Sequence, residues 1–367
     1  MVLLVPTTVI SVRAEEASGW AGEFVDWSLD SQGNLTISGW GDMYDSFSIS
    51  YRHKDAIRTI AILPGVTSVS TGAFADCNNL MSVSFPETLT TIGANAFQGC
   101  SSLTSVTLPD NLTKVEEYTF RDCTGLKSLE TSAKLEIIGE GAFYRCSSLS
   151  TLTLSEPLRS LADYAFWGCS SLSSVTFPSS LVEIGNWAFY NCSSLTTFEV
   201  AYDNTVYSVR DGVLYSMDGK QLLLCPFGKN GDVVLPQGLT AIPPWAFDGC
   251  LNITEFTIPA SVTEIGHSAF SERRVPFNIY YEGSQDQWDA IQIDYDNNLL
   301  NYCTIYCNDT PSLDIDGDGC PNLKDVSRLY RVSIGAETLP LRTVDINRDG
   351  YLSLKDVALA YRSITEL

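Results

Sequence analysis

The sequence has few basic residues, few histidines and no long hydrophobic run. Its 22 lysines and arginines stand against 44 acidic residues, so the formal net charge is −22. A chain this acidic is repelled by nucleic acid and by anionic membrane surfaces, which argues against both classes of partner. The two histidines, His53 and His267, lie far apart, and no nucleophile with a recognisable base accompanies them. The sequence therefore predicts that the protein is not an enzyme.

The apolar run near the start, Val2 to Val12, is too short to span a bilayer. Arg13 and Ala14 follow it, a pattern that suits cleavage by signal peptidase after Ala14. We therefore expect residues 1–18 to be a signal peptide or its remnant and the protein to be secreted. The alternative is an ordinary buried N-terminal strand. No later segment is long and apolar enough to serve as a membrane anchor.

Most of the chain consists of a 23-residue repeat, of which Ile92 to Lys114 is the clearest copy. The repeat phenylalanines are Phe74, Phe97, Phe120, Phe143, Phe166 and Phe189, and the frame returns at Phe247 and Phe270. A period of this length predicts a solenoid of stacked coils. Apolar residues with the spacing L-x-x-L-x-L predict one short strand per coil, so the coils form a parallel sheet. A single coil cannot bury its apolar face, and the two ends need caps.

The repeat form AFxxCssLxxVxLPxxLxxI resembles the BspA-like leucine-rich repeat. The resemblance implies a repeat solenoid of α+β class, with an N-terminal cap at residues 19–64, coils and closing segment at 65–307, and the closing segment itself at 271–307. The step from Phe189 to Phe247 exceeds one repeat, so we expect a hairpin insertion around residues 201–235. Asp218-Gly219 suits its tight turn. We interpret the insertion as a spacer between coils rather than a protruding recognition element.

Six of the eleven cysteines stand three residues after a repeat phenylalanine. They are Cys77, Cys100, Cys123, Cys146, Cys169 and Cys192. Equal positions on successive coils lie about 4.8 Å apart, more than the Cβ separation of about 3.8 Å in a disulfide. A straight row also offers no tetrahedral arrangement for zinc. We expect a ladder of reduced, buried thiols that pack as small hydrophobic groups.

Aromatic residues recur on both sides of the repeat phenylalanine. Tyr118, Tyr164, Trp187 and Trp245 precede it by two residues, and Tyr144, Trp167 and Tyr190 follow it directly. Such a stripe over adjacent coils would hold sugar rings or a protein surface by apolar burial with a polar tip in water. Packing between coils is the simpler interpretation, because tyrosine near this position is common in the family that the repeat resembles.

A duplicated segment near the C-terminus carries metal-binding chemistry. DIDGDGCPNLKD begins at Asp314, and DINRDGYLSLKD begins at Asp345. Each places oxygen donors around a 12-residue loop, with glycine at position 6 where the backbone turns sharply. Hard oxygen ligands in this spacing select calcium, so we expect two Ca²⁺ ions. The ligands are Asp314, Asp316, Asp318, the Cys320 carbonyl, Asn322 and Asp325 in the first loop, and Asp345, Asn347, Asp349, the Tyr351 carbonyl, Ser353 and Asp356 in the second.

One predicted helix follows each loop, Leu323 to Ile334 and Leu354 to Ile364. Two such repeats in residues 313–367 resemble a type I dockerin, a small all-α module that docks secreted proteins onto the cohesin modules of a cellulosome scaffoldin. The resemblance implies cohesin contacts at Leu323, Lys324, Tyr330, Arg331, Leu354, Lys355, Tyr361 and Arg362. Aspartate stands at loop position 12, where calcium-sensor EF-hands have glutamate. The clostridial Ser-Thr pair is absent at positions 10 and 11, which leaves the cohesin type and species open.

These features predict a non-catalytic extracellular binding protein. Its solenoid would bind a protein or a carbohydrate, and its dockerin would attach it to a scaffold. Two alternatives stay open. One is a dockerin-borne enzyme of glycoside-hydrolase type with an unrecognised carboxylate pair. The other is a cell-surface adhesin whose calcium module is only structural.

Overall fold

The computed structural model describes residues 15–49, 53–271, 276–307, 323–336 and 354–365. Within these ranges the chain is mainly β-structure, and its helices lie toward the C-terminus. None of the described helices is both long and apolar enough to cross a membrane.

An N-terminal cap precedes the repeats. Its strands are β1 (Glu15–Trp20), β2 (Val25–Asp30), β3 (Asn34–Gly39) and β4 (Gly41–Asp42). The first three form an antiparallel meander, and Gly33 occupies the turn between β2 and β3 with a φ of +85°. The Asp30 carboxylate fixes this turn by accepting a hydrogen bond from the backbone N–H of Asn34. Strand β1 starts at Glu15 and pairs with β2. The cap therefore begins before residue 19, the boundary predicted from the sequence.

The coils with the 23-residue period follow the cap. Val106 pairs with Leu129, and Leu129 pairs with Leu152, so equal repeat positions lie side by side in parallel strands. The strands of this half are β5 (Thr59–Ile62), β6 (Val66–Val69), β7 (Ser82–Ser84), β8 (Thr91–Ile92), β9 (Ser105–Thr107), β10 (Lys114–Val115), β11 (Ser128–Glu130), β12 (Ile137–Ile138), β13 (Thr151–Thr153), β14 (Ser160–Leu161), β15 (Ser174–Phe177), β16 (Glu183–Ile184) and β17 (Thr197–Val200). The predicted parallel-sheet solenoid is confirmed.

Each regular coil contributes two strands, whereas the repeat pattern predicts one. From β8 onward the additional strands are two residues long, and β10, β12, β14 and β16 pair in sequence to form a second parallel ladder. Two residues are too few to show the period-two alternation by which a strand is recognised in a sequence. The prediction of a single strand per coil was therefore wrong.

A three-stranded antiparallel unit occupies the insertion. It consists of β18 (Tyr207–Arg210), β19 (Val213–Ser216) and β20 (Leu222–Leu224). The predicted hairpin joins β19 to β20, with Gly219 at a φ of +71°. Leu214 is buried in the hydrophobic core of the preceding coils, and Tyr215 is buried in the core of the following ones. The insertion thus packs between two stacks of coils, as the spacer interpretation expects.

The second half of the solenoid resumes the parallel pairing and then closes. Its elements are β21 (Asn230–Val234), β22 (Ala241–Ile242), β23 (Asn252–Ile258), β24 (Glu264–Ile265), β25 (Asn278–Tyr281), α1 (Gln285–Asp289), β26 (Gln292–Ile293), a 3₁₀ helix (Asn298–Tyr302) and β27 (Thr304–Cys307). Helix α1 begins with a capping box, in which Ser284 and Gln287 satisfy each other's backbone N–H groups. Trp288 of this helix is buried and closes the core.

The core of the first half is a column of phenylalanine rings. Phe97, Phe120, Phe143 and Phe166 are fully buried, and neighbouring rings stack 5.3–5.4 Å apart between centroids. Each ring covers the face of the next, so every coil depends on its neighbours for burial.

Two helices of the C-terminal region, α2 (Leu323–Ser333) and α3 (Leu354–Thr365), pack against each other. Their bounds agree within one residue with the two helices expected from the sequence.

Candidate functional site

The six repeat cysteines form a row of buried thiols beside the phenylalanine column. All six are free and buried. The Cys100 thiol donates a hydrogen bond to the carbonyl of Phe74 on the preceding coil, and the next four thiols repeat this bond at 3.2–3.3 Å. The predicted ladder of buried, unbridged thiols is confirmed.

Burial makes these thiols hard to ionise. It raises the pKa of Cys77 and of Cys192 from an ordinary value of 9.0 to about 12. It raises the pKa of the four thiols between them well above 9.0, and a neighbouring thiol adds to the effect at each of the four. A thiol in this state is neither a nucleophile nor a metal ligand, because both roles need the thiolate.

We expect the ladder thiols to resist modification in the folded protein. A chromogenic disulfide reagent at pH 8 should count the six only after denaturation, whereas the half-buried Cys225 and Cys303 should react sooner. Rapid labelling of Cys123 or Cys146 in native protein would contradict the packing role.

The aromatic stripe is assembled as two rows of stacked rings. In the row that follows the repeat phenylalanine, Tyr144 stacks on Trp167 with 4.6 Å between centroids, and Trp167 stacks on Tyr190 at 6.3 Å. In the row that precedes it, Tyr164 stacks on Trp187 at 5.5 Å. Packing between coils is therefore part of the role of these rings.

The row that precedes the phenylalanine has a left-handed backbone. The angle φ lies between +53° and +60° at Tyr118, Tyr164, Trp187 and Trp245. This region costs a residue other than glycine about 1–2 kcal/mol, and a bulky residue there is an outlier. Other coils carry small residues at the same position, namely Gly72, Asn95, Gly141 and Ser268. The backbone at this position favours a small residue, so the aromatic residues there are explained by their side chains.

A charged side chain covers the N-terminal end of both rows. The Arg121 guanidinium lies 5.5 Å from the ring centroid of Tyr118 and 5.2 Å from that of Tyr144, an attractive cation–π geometry. The Tyr118 hydroxyl donates a hydrogen bond to the Glu140 carboxylate, which raises the pKa of Tyr118 to about 12. These two rings are engaged within the protein.

The rows lead to a cleft where the insertion separates the two stacks of coils. The ladder that ends at β16 does not continue into β22, so the flanking coils are not held at the usual strand spacing of about 4.8 Å. The cleft has a volume of about 480 Å³. Asn186 and Trp187 line one side, Trp245 and Asp248 line the other, and Phe227 of the insertion contributes to the wall. A shallower groove of about 270 Å³ beside it is lined by Tyr164, Trp167, Trp187, Tyr190 and Trp245.

Asp248 holds this region together, and sequence reasoning missed it. Its buried carboxylate accepts a hydrogen bond of 2.5 Å from the Tyr190 hydroxyl and another from the Ser271 hydroxyl. Tyr190 and Asp248 occupy the same repeat position on the two sides of the insertion. The sequence did show that aspartate replaces an aromatic residue at this repeat position, and this replacement could have identified Asp248.

The C-terminal module is described only in its helices. The predicted calcium ligands at residues 314–322 and 345–353 lie outside the described residues. Asp325 and Asp356, which fill position 12 of each loop, are fully buried in the first turns of α2 and α3. Within the described ranges, no group of three or more His, Cys, Asp or Glu side chains is arranged to hold a metal ion.

Six of the eight predicted cohesin contacts have described side chains, and these six are exposed. Leu323, Tyr330, Leu354 and Tyr361 are between 48% and 64% exposed. Lys324 and Arg331 line a surface depression together with Tyr330 and with Val357 of α3. The side chains of Lys355 and Arg362 lie outside the described residues.

Known proteins share the repeat and the fold. No curated protein matches the sequence. A leucine rich cell surface protein from Faecalibacterium prausnitzii is 21% identical with a TM-score of 0.56, over 74% of this chain and 97% of that one. A leucine-rich repeat protein from Eubacterium ventriosum is 22% identical with a TM-score of 0.48, over 72% of this chain and 73% of that one. The first similarity shows a shared fold.

The family profile described as BspA type leucine rich repeat region matches residues 48–157, 125–224 and 228–281. These matches cover well over half of the chain and include the cysteine ladder, the aromatic rows and the coils on both sides of the cleft. The chain therefore belongs to the BspA-type leucine-rich repeat family.

Proposed function

We propose that the protein is a non-catalytic extracellular binding protein, in which the solenoid binds a ligand and residues 313–367 form a type I dockerin. The observation that carries the docking role is the equivalence of α2 and α3. Each helix buries the aspartate of its first turn and exposes one leucine and one tyrosine at matching positions. Exposed apolar side chains repeated in this way are typical of a contact surface.

An extracellular location is supported by the relative from F. prausnitzii, which is described as a cell surface protein. In this arrangement residues 15–307 form the ligand-binding part, and the dockerin joins it to a cohesin-bearing scaffold of the cellulosome type. The scaffold then determines where the ligand is held.

The residues of the two loops fit calcium. Asp325 and Asp356 are removed from water, and a buried carboxylate is costly unless hydrogen bonds or a cation compensate its charge. Each 12-residue segment adds carboxylate, amide, hydroxyl and carbonyl oxygens to one of these aspartates, which is the donor chemistry of a calcium loop. When bound, each ion supplies positive charge and links its loop to the following helix.

Cohesin recognition would rest on a central apolar contact with a charged rim. On α2, Leu323 and Tyr330 provide the part that loses water on binding, and Lys324 and Arg331 provide the rim that suits an acidic partner. The same four residue types recur on α3 at Leu354, Lys355, Tyr361 and Arg362. A rotation of the module by half a turn would therefore present an equivalent surface.

Calorimetry of the full chain against a panel of cohesins, with calcium present, tests this proposal. We expect the joint change of Leu323, Lys324, Tyr330 and Arg331 to alanine to leave affinity within about threefold, because α3 substitutes for α2. The matching change on α3 should have the same small effect. The combined variant should lose binding, since neither half keeps its apolar centre.

Two results would contradict the proposal. A large loss from one half alone would reject the two equivalent modes, and failure to bind any cohesin would reject the docking role. Helical circular dichroism of each variant serves as the control for folding. Hydrolysis of a polysaccharide by the purified protein would contradict the non-catalytic assignment.

A further inference from the structure

The cleft at the insertion exposes an aromatic face that is covered elsewhere in the stripe. Within the two rows, stacked rings make interplanar angles of 6°, 17° and 24°, so neighbouring rings cover each other's faces. Trp187 uses one face against Tyr164, and no other ring of the described residues contacts it. Trp187 also lines the cleft, where part of its indole is exposed.

Trp245 stands on the other wall of the same cleft. Its ring contact is with His267, whose plane lies at 88° to the indole with 5.4 Å between centroids. Both tryptophans are 40% exposed, and both have a left-handed backbone that a smaller residue adopts in other coils. Two partly exposed indoles beside one cleft offer apolar ring surface to a ligand.

We infer that this cleft binds a neutral glycan, with one sugar ring seated between Trp187 and Trp245. The inference rests on the proposed binding function and names the ligand class of the solenoid. A sugar ring has apolar C–H faces that suit indole faces, and a rim of hydroxyl groups that needs hydrogen-bonding partners or water. A cleft with two tryptophans and the polar side chains of Asn186 and Asp248 in its lining meets both needs.

Asn186 provides a polar group at the mouth of the cleft. Its backbone N–H donates to the Asp163 carboxylate at 2.7 Å, and its carbonyl accepts from the backbone N–H of Tyr164 at 3.0 Å, so its position is fixed. Its exposed side-chain amide makes no hydrogen bond to the described residues. An amide can both donate to and accept from sugar hydroxyl groups.

Charge and size define the ligand further. Asp248 lines the cleft, and the chain carries a net charge of −22, so acidic or sulfated glycans are repelled. A volume of about 480 Å³ lies within the range of about 300–1,000 Å³ for small-molecule sites. The site therefore suits a few sugar units of a neutral chain.

Isothermal titration of the full chain with neutral hexasaccharides of glucose, xylose, mannose and N-acetylglucosamine tests the inference, with a proline-rich decapeptide as the competing ligand. We expect at least one hexasaccharide to bind and to change tryptophan fluorescence. Trp187→Gly and Trp245→Gly should each weaken that binding about tenfold. Glycine relieves the left-handed backbone, so the melting temperature should not fall markedly in either variant.

Tyr118→Gly is the matched control, because it makes the same replacement at the same repeat position on a ring that Arg121 already covers. It should leave glycan binding unchanged. The inference would be overturned if no hexasaccharide binds or if only the peptide binds. It would also be overturned if both tryptophan variants bind the hexasaccharide as tightly as the unaltered protein does. None of these results bears on cohesin binding by residues 313–367, so this failure is distinct from failure of the docking proposal.

Discussion

Raising the pH from 9 to 11 is expected to unfold the solenoid. Burial keeps the six ladder thiols protonated in the folded chain above the pH at which exposed thiols ionise, near 9.0. Unfolding therefore releases their protons in this range, and the free energy of unfolding falls as pH rises. Each thiol contributes about 1.4 kcal/mol per pH unit, so six contribute about 8 kcal/mol per pH unit once the exposed thiols are ionised. A domain is typically stable by only about 5–15 kcal/mol.

The measurement is circular dichroism and tryptophan fluorescence as a function of pH, with a reductant present. The double variant Cys146→Ala and Cys169→Ala removes two of the titrating groups and should reduce the slope by about 2.7 kcal/mol per pH unit. Leu149→Ala is the control, because deleting a buried leucine costs about 2–5 kcal/mol without changing the number of protons released. Stability that stays level from pH 8.5 to 11 would show that the folded chain does not hold these protons.

Removal of calcium is expected to unfold α2 and α3 and to leave the solenoid folded. Without the ions, the acidic side chains of each proposed loop repel one another, and Asp325 and Asp356 lose a compensating charge. The helices have 11 and 12 residues, lengths at which an isolated helix is marginal in water. Hydrogen exchange should lose its protection throughout both helices, while the thermal transition of the solenoid stays in place.

The double variant Asp325→Ala and Asp356→Ala should reproduce this loss even with calcium present. Asp203→Ala removes a carboxylate that is exposed on the insertion and controls for the change in charge. If both helices keep their protection from hydrogen exchange in excess chelator, calcium does not stabilise this module.

The regular part of the fold was predictable because the same apolar residues recur at the same positions in each repeat. Phe97 and Cys100 recur with one period, and residues that recur in this way must lie above one another in a stack. The bounds of α2 and α3 were equally accessible, since each helix starts at the end of a duplicated loop. The two-residue strands of the second ladder left no pattern of their own.

The candidate site was predictable only as a set of residues. The aromatic stripe was visible from its spacing, but the sequence does not distinguish Tyr118, which Arg121 covers, from Trp187, which lines a cleft. Nor does it show that Asp248 holds Tyr190 across 58 positions of the chain. These differences arise from contacts between coils, which a single unit of the repeat does not contain.

The sequence by itself determined the solenoid, the buried thiols and the two C-terminal helices, because each follows from local spacing and, in the solenoid, from the need of every coil to bury its apolar face. The tertiary structure alone decided where the stack opens. The insertion packs with Leu214 toward one core and Tyr215 toward the other, so the ladder ending at β16 does not meet β22. At the normal spacing of parallel strands, the coils of Trp187 and Trp245 would lie against each other. The insertion between these coils keeps the cleft open.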